Sequence, residues 1–377
     1  MKFSCLQENL VKALSMVSRA VASRSTLPVL SNVLLTTDGS QIKLSATNLE
    51  LSITYWLDAH VEEPGTTTVP ARTFAELVGT MPQDRVDLAL NTESQTLNIR
   101  CGSYNSNLKC ISAEDYPIIV NGDESEAIEL SATDLRRLIS HVTFAAATED
   151  TRPVLTGVEI KLEHGEMTFA AADGYRLAVQ RGNLDLTNAH PIRVIVPAKA
   201  LNELAKLVSD QDAPVLMMLP ANRSQVIFRC KNVELISQLI EGSFPDYNQL
   251  IPQNARTRAV VSTAALRNAC KAARIFARDA AFTTRFKISP SVDNLPGSIL
   301  IRATSAETGS NEIMLDANVE GEPIEIAFNV GFVGDVLNVI DTPNVLLEMN
   351  GPNKPGVLRP AGQTDSTNVI MPMSITN

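Results

Sequence analysis

The chain has 377 residues, 44% of them hydrophobic and 20% charged, which excludes a disordered polypeptide and leaves room for two or three domains of about 100–200 residues each. Its formal net charge of −10 excludes a uniformly basic, nucleic-acid-coating surface, so any phosphate contact has to come from bases gathered on one face. Apolar runs such as Val215–Leu219 are far shorter than the roughly 18 residues a membrane helix needs, and Met1–Cys5 carries no apolar signal core, so cytoplasmic residence is the expectation.

In chain order, Leu6, Leu10, Leu14, Val17 and Val21 recur at three- and four-residue steps and predict a helix over residues 4–22. Strands follow at Val33–Thr36, Gln41–Ala46 and Glu50–Leu57, the last with Leu51, Ile53 and Tyr55 on one face. Val69-Pro70-Ala71 opens a second helix, Arg72–Thr80, ended by Met81-Pro82. Three further strands are expected near Val86–Asn91, Thr96–Cys101 and Ser106–Ile111.

The order then repeats. Ser131-Ala132-Thr133-Asp134 caps a predicted helix over Leu135–Ala145, Thr151-Arg152-Pro153-Val154-Leu155 matches Thr26-Leu27-Pro28-Val29-Leu30, and Val196-Pro197-Ala198-Lys199 matches Val69-Pro70-Ala71-Arg72. A third round carries helices over Ala264–Asp279 and residues 330–340. The phrase Ala171-Ala172-Asp173-Gly174-Tyr175-Arg176-Leu177 has weaker echoes at Thr47-Asn48-Leu49-Glu50-Leu51 and Thr304–Thr308. Offsets of roughly 125–132 residues are too long for a solenoid and indicate three copies of a whole domain. The fold class is α+β: each domain has two helices packed on about eight antiparallel strands, and head-to-tail repetition that closes makes a ring. The acidic joint Asn121–Glu126 and the joint Pro252–Thr257 place the domains at 1–123, 124–254 and 255–377.

Arg267, Lys271, Arg274 and Arg278 fall on one face of their helix, with Leu266, Cys270, Ala273 and Ala277 free to face inward. Lys12, Arg19, Arg24, Arg72, Arg136, Arg137, Arg152, Lys199 and Lys206 complete a set of bases on or beside the corresponding helices of the repeat. No aromatic platform interleaves with them and no base-reading helix motif is present, which points to duplex contact through phosphates, without sequence preference and free to slide. The helix at 330–340 breaks the pattern, carrying Asp335 and Asp341 and no base.

Five cysteines (Cys5, Cys101, Cys110, Cys230, Cys270) show no C-x-x-C spacing and read as reduced, buried thiols. The histidines (His60, His141, His164, His190) do not cluster with each other or with the cysteines, so no metal or cofactor is expected. No phosphate-binding glycine loop, nucleophile elbow or metal-binding helix motif is present, and a catalytic role is not expected.

Taken together and in order, Thr26-Leu27-Pro28-Val29-Leu30, Thr47-Asn48-Leu49-Glu50, Ala172-Asp173-Gly174-Tyr175-Arg176-Leu177, Val196-Pro197-Ala198-Lys199, Phe244-Pro245-Asp246-Tyr247, Phe328-Asn329-Val330 with Asp335-Val336-Leu337, and Met371-Pro372-Met373 resemble the bacterial sliding clamps, the beta subunits of DNA polymerase III. The likeness runs the whole length. It implies a head-to-tail homodimeric ring of six domains around double-stranded DNA that confers processivity on the polymerase. Its implied partners are the polymerase III catalytic subunit, the clamp loader, and repair or translesion polymerases carrying a clamp-binding motif. It also implies a hydrophobic cleft for short linear peptides, lined here by Leu155, Ala172, Gly174, Tyr175, Arg176, Leu177, Pro245, Leu250, Phe282, Asn329, Phe332, Pro355, Val369, Ile370, Met371, Pro372 and Met373. Tyr104 and Leu108 fall at the implied dimer edge. Two departures stand out: Ala172 where the family usually has Thr, and Ser374-Ile375-Thr376-Asn377 where it usually ends in Arg-Leu.

Overall fold

The computed structural model describes residues 1–22, 25–119, 127–184, 191–209, 213–220, 224–252, 254–292 and 296–374. Among these it forms six α-helices and 26 β-strands. They fall into two compact units: residues 1–135 with 203–239, and residues 136–202 with 240–377.

The helices are α1 (Gln7–Val17), α2 (Ala71–Gly79), α3 (Ala132–Ser140), α4 (Ala198–Leu207), α5 (Thr263–Phe276) and α6 (Val330–Val339). The repeat is visible in what they bury. Helix α1 hides Leu10, Ala13, Leu14 and Val17; Leu135, Leu138, Ile139 and Val142 do the same along and just past α3, and Leu266, Ala269, Cys270 and Ala273 on α5. Steps of three, one and three keep each set on one stripe of a 3.6-residue helix. Three copies of one stripe are what three copies of one domain require.

Residues 4–6 depart from the helix expected over 4–22. Lys2–Leu6 is a strand, paired antiparallel with Arg85–Asn91 on one side and His60–Glu63 on the other. Helix α1 begins only at Gln7, and Leu6, counted in the apolar stripe, is 50% exposed. Local periodicity cannot register this, because the strand is selected by partners more than 50 residues away. The strands His60–Glu63 and Thr66–Pro70 are further elements that the sequence pattern does not mark. The expected helix over Leu135–Ala145 begins earlier, because the Ser131 hydroxyl accepts the Asp134 amide hydrogen and starts the turn at Ala132.

In the first unit His60–Glu63, Lys2–Leu6, Arg85–Asn91, Thr96–Cys101 and Tyr104–Lys109 form, in that order, a five-stranded sheet, and an eight-stranded sheet joins Leu51–Asp58 antiparallel to Val233–Gln238. In the second, a nine-stranded sheet joins Arg176–Asn183 to Ser366–Ile370, and a four-stranded sheet runs from Gly309–Asp316 to Ile324–Asn329. Helix α1 packs beside α2 and against strands of both sheets of its unit, and α5 packs likewise with α6. The second unit's larger core includes Phe286, Phe328, Ile301 and Leu337, with the two phenylalanine rings edge to face at 5.7 Å.

Candidate peptide-binding groove and basic helix faces

The turn Asp173-Gly174-Tyr175 links strands Glu166–Ala172 and Arg176–Asn183. The Asp173 carboxylate closes it by accepting the Tyr175 and Arg176 amide hydrogens at 2.8 and 2.9 Å. Gly174 has φ +93°, and a Cβ there would lie 2.7 Å from the Arg152 guanidinium, so glycine serves both the backbone and the packing. Arg152 donates to the Asp173 carbonyl at 3.0 Å.

Arg176 is the centre of the arrangement. Its guanidinium pairs with Asp173 at 3.0 Å and with Asp335 on α6, and stacks 4.4 Å from the Phe332 ring centre. Asp335 is one of the two acids that set α6 apart from the basic helices; it holds Arg176. A cavity of about 510 Å³ opens here, lined by Ala146–Glu149, Thr151, Arg152, Asp173, Tyr175, Arg176 and Phe332.

Beneath it, Leu155, Leu177 and Val369 are buried in one cluster with Phe244, Tyr247 and Val357, and Ala172 packs against them. Ile370 is fully buried in the larger core, so its side chain forms no surface of the groove. The Met371 amide donates to the Tyr175 carbonyl at 2.9 Å, tying the C-terminal segment to the turn, and the Met373 amide donates to Ala327. Tyr175, Leu250 and Met371 are exposed, at 63%, 47% and 39%. Pro245 is exposed too, and Pro355, Pro372 and Met373 are half-buried.

Asn329 caps α6 by accepting the Gly331 amide hydrogen at 2.9 Å and donates to the Ala281 carbonyl. Ala281 and Phe282 both have positive φ, +50° and +59°, a local strain held by the Val330 amide donating to the Phe282 carbonyl. Asn329, Phe282 and Phe332 therefore belong to one junction at the start of α6. Sequence reasoning missed Glu149, Thr151, Asp173 and Asp335; the first two sit on an irregular loop after α3, where no periodicity marks them.

The bases fall into distinct groups. Lys12, Lys199, Lys271, Arg274 and Arg278 are exposed on or beside their helices. Arg19 and Lys206 share the Glu203 carboxylate at 3.0 and 2.7 Å. Burial pushes that carboxyl up, but hydrogen bonds from the two bases outweigh it and hold it below the usual range. Arg72 pairs with Glu76 one turn on, fully in solvent. Arg136 is half-buried, and Arg137 is taken by Asp365 at 2.7 Å.

Two placements correct the expected basic face. Arg152 lies in the groove, as above, because its guanidinium fills the space beside Gly174. Arg267 turns inward to donate to the Leu337 and Ile340 carbonyls, where a cation satisfies the negative C-terminal end of α6. Arg24, His190, the joint Asn121–Glu126 and the tail residues Ile375–Asn377 lie outside the described residues. Tyr104 and Leu108 are on the edge strand Tyr104–Lys109.

Comparison with known proteins agrees with this architecture. The N-terminal, central and C-terminal domains of the DNA polymerase III beta subunit match residues 1–120, 129–246 and 248–374. The chain is 32% identical to a beta sliding clamp of Synechococcus elongatus over 379 residues, covering 100% of both, and 30% identical to that of Bacillus subtilis, covering 99% of both. Among solved structures, the sliding clamp of Bacillus subtilis superposes with a TM-score of 0.94 at 29% identity, and the beta subunit of Pseudomonas aeruginosa with 0.92 at 31%, each covering 100% of both chains. A Pseudomonas aeruginosa clamp has also been solved bound to griselimycin. With three matching domains in order and full-length relatives, the chain belongs to the bacterial beta sliding clamp family, the processivity factor of DNA polymerase III.

Proposed function

We propose that two copies of the chain close head to tail around duplex DNA, with domains at 1–123, 124–254 and 255–377, and that the Arg176 groove holds a short apolar peptide of the replicative polymerase. The clamp loader and repair polymerases use the same groove in turn, the chain itself performs no chemistry, and it works in the cytoplasm. The observation that carries the reading is the groove itself. Arg176 is fixed by two carboxylates and a ring, beside half-buried apolar side chains and an exposed methionine whose shape adapts to different peptides. Exposed Lys271, Arg274 and Arg278 offer phosphate contacts on the α5 side.

For ring closure, Tyr104–Lys109 and Gly309–Asp316 each end a sheet with one strand neighbour, leaving a row of backbone groups for a partner strand. The test is the triple substitution Lys271→Glu, Arg274→Glu, Arg278→Glu. It is expected to abolish retention on nicked circular DNA while peptide binding persists; retention at the unsubstituted level refutes the reading. Arg267 is left intact because its loss would loosen α5 from α6.

A further inference from the structure

Trp56, the chain's one tryptophan, lines a different cavity, of about 470 Å³, within the first compact unit. It sits on strand Leu51–Asp58 with its indole N–H donating to Asp38 at 3.1 Å. Its main chain is clamped: the Trp56 amide donates to the Asn232 carbonyl at 2.9 Å, and the Asn232 side chain returns a bond to the Trp56 carbonyl. Lys43 and Arg229 each lie over the indole ring, 5.2 Å from its centre. Arg229 is oriented by Glu234 at 2.8 Å, itself 1% exposed. Lys231, exposed at the tip of the hairpin with φ +51°, completes the lining.

The cavity thus gathers three cations against one lining carboxylate, on a chain whose net charge is −10. Cations alone suit any anion. An aromatic ring fixed among them suits an anion that also has a flat face to stack, and the residues are held in place before any ligand arrives. We infer that this cavity binds a nucleotide, free or as a link of a single strand, with its phosphate toward Lys43, Arg229 and Lys231 and its base against Trp56. An acidic peptide or inorganic phosphate would use the cations and gain no stacking from the indole.

Because the chain has a single tryptophan, its fluorescence reports this cavity alone. The full-length protein is titrated at low salt with thymidine monophosphate, octathymidylate, inorganic phosphate and hexaglutamate. Quenching by a thymidylate probe, weakening as salt is added, is expected. The Lys43→Ala, Lys231→Ala double variant should bind about tenfold more weakly. If the double variant loses its unfolding midpoint, Lys231→Ala alone, at an exposed turn tip, serves in its place. Saturation by the monophosphate identifies a free nucleotide, and response to the octamer alone identifies a single strand. Equal quenching by inorganic phosphate, equal quenching by hexaglutamate, or no quenching by either thymidylate overturns the inference.

Discussion

Arg176 shows how one side chain converts a turn into a site. Two carboxylates from different elements fix its guanidinium, so one planar face rests on Phe332 and its position is set before a ligand arrives. Gly174 makes this possible by leaving room for Arg152. Gly174→Ala is expected to destabilise the protein by about 1–3 kcal/mol through its positive φ, and to weaken peptide binding by displacing Arg152. Calorimetry and a peptide titration on the same variant measure both; wild-type values in each would remove glycine's proposed role. The cysteines allow a second residue-level prediction. Burial pushes the Cys5 and Cys270 thiols up to about 12, so at pH 8 neither is a thiolate. A disulfide reagent should modify both only after denaturation, with half-buried Cys110 reacting ahead of them in the native protein.

Among the elements, α3 carries its own pH dependence just past its end. His141 donates its Nδ1–H to the Arg137 carbonyl at 2.8 Å, and burial is the largest influence on it, lowering its pKa below 6.5. The Arg137 carbonyl bond and the charges of Asp341 and Asp365 raise it, and the Arg137 charge lowers it further, without reversing the direction. The folded state therefore binds fewer protons than the unfolded one across this window. The stability this confers is complete above about pH 6.5 and is lost as pH falls through the folded value, by at most about 1.4 kcal/mol per pH unit. Denaturant titrations at pH 7 and 5.5 should show a smaller drop for His141→Asn than for the parent; an equal drop would place the effect elsewhere. At α6, the Asn329 cap joins helix start, strained Phe282 loop and groove, so one side chain serves packing and site together.

For the whole molecule, the proposed ring closure uses the edge strands Tyr104–Lys109 and Gly309–Asp316. Met314 is 65% exposed on Gly309–Asp316, and Leu108 is half-buried on Tyr104–Lys109. A species of twice 40.8 kDa is expected in solution, and Leu108→Asp with Met314→Asp should shift it to a single chain without loss of secondary structure. An unchanged dimer mass in that variant would place the interface on other strands. The sequence determined the threefold repeat, five of the six helices to within a few residues and the inner stripe of α5, because helical burial is written at three- and four-residue spacing in neighbouring positions. It also singled out Gly174–Leu177, since the two echoes of the phrase lack that Gly-Tyr-Arg-Leu. Only the tertiary structure decided that residues 2–6 are a strand, that Arg152 and Arg267 leave the basic face, that Asp335 holds Arg176, and that Trp56 is ringed by cations. Each of these depends on partners tens to more than a hundred residues apart, brought together by sheet pairing and helix packing that no local pattern encodes.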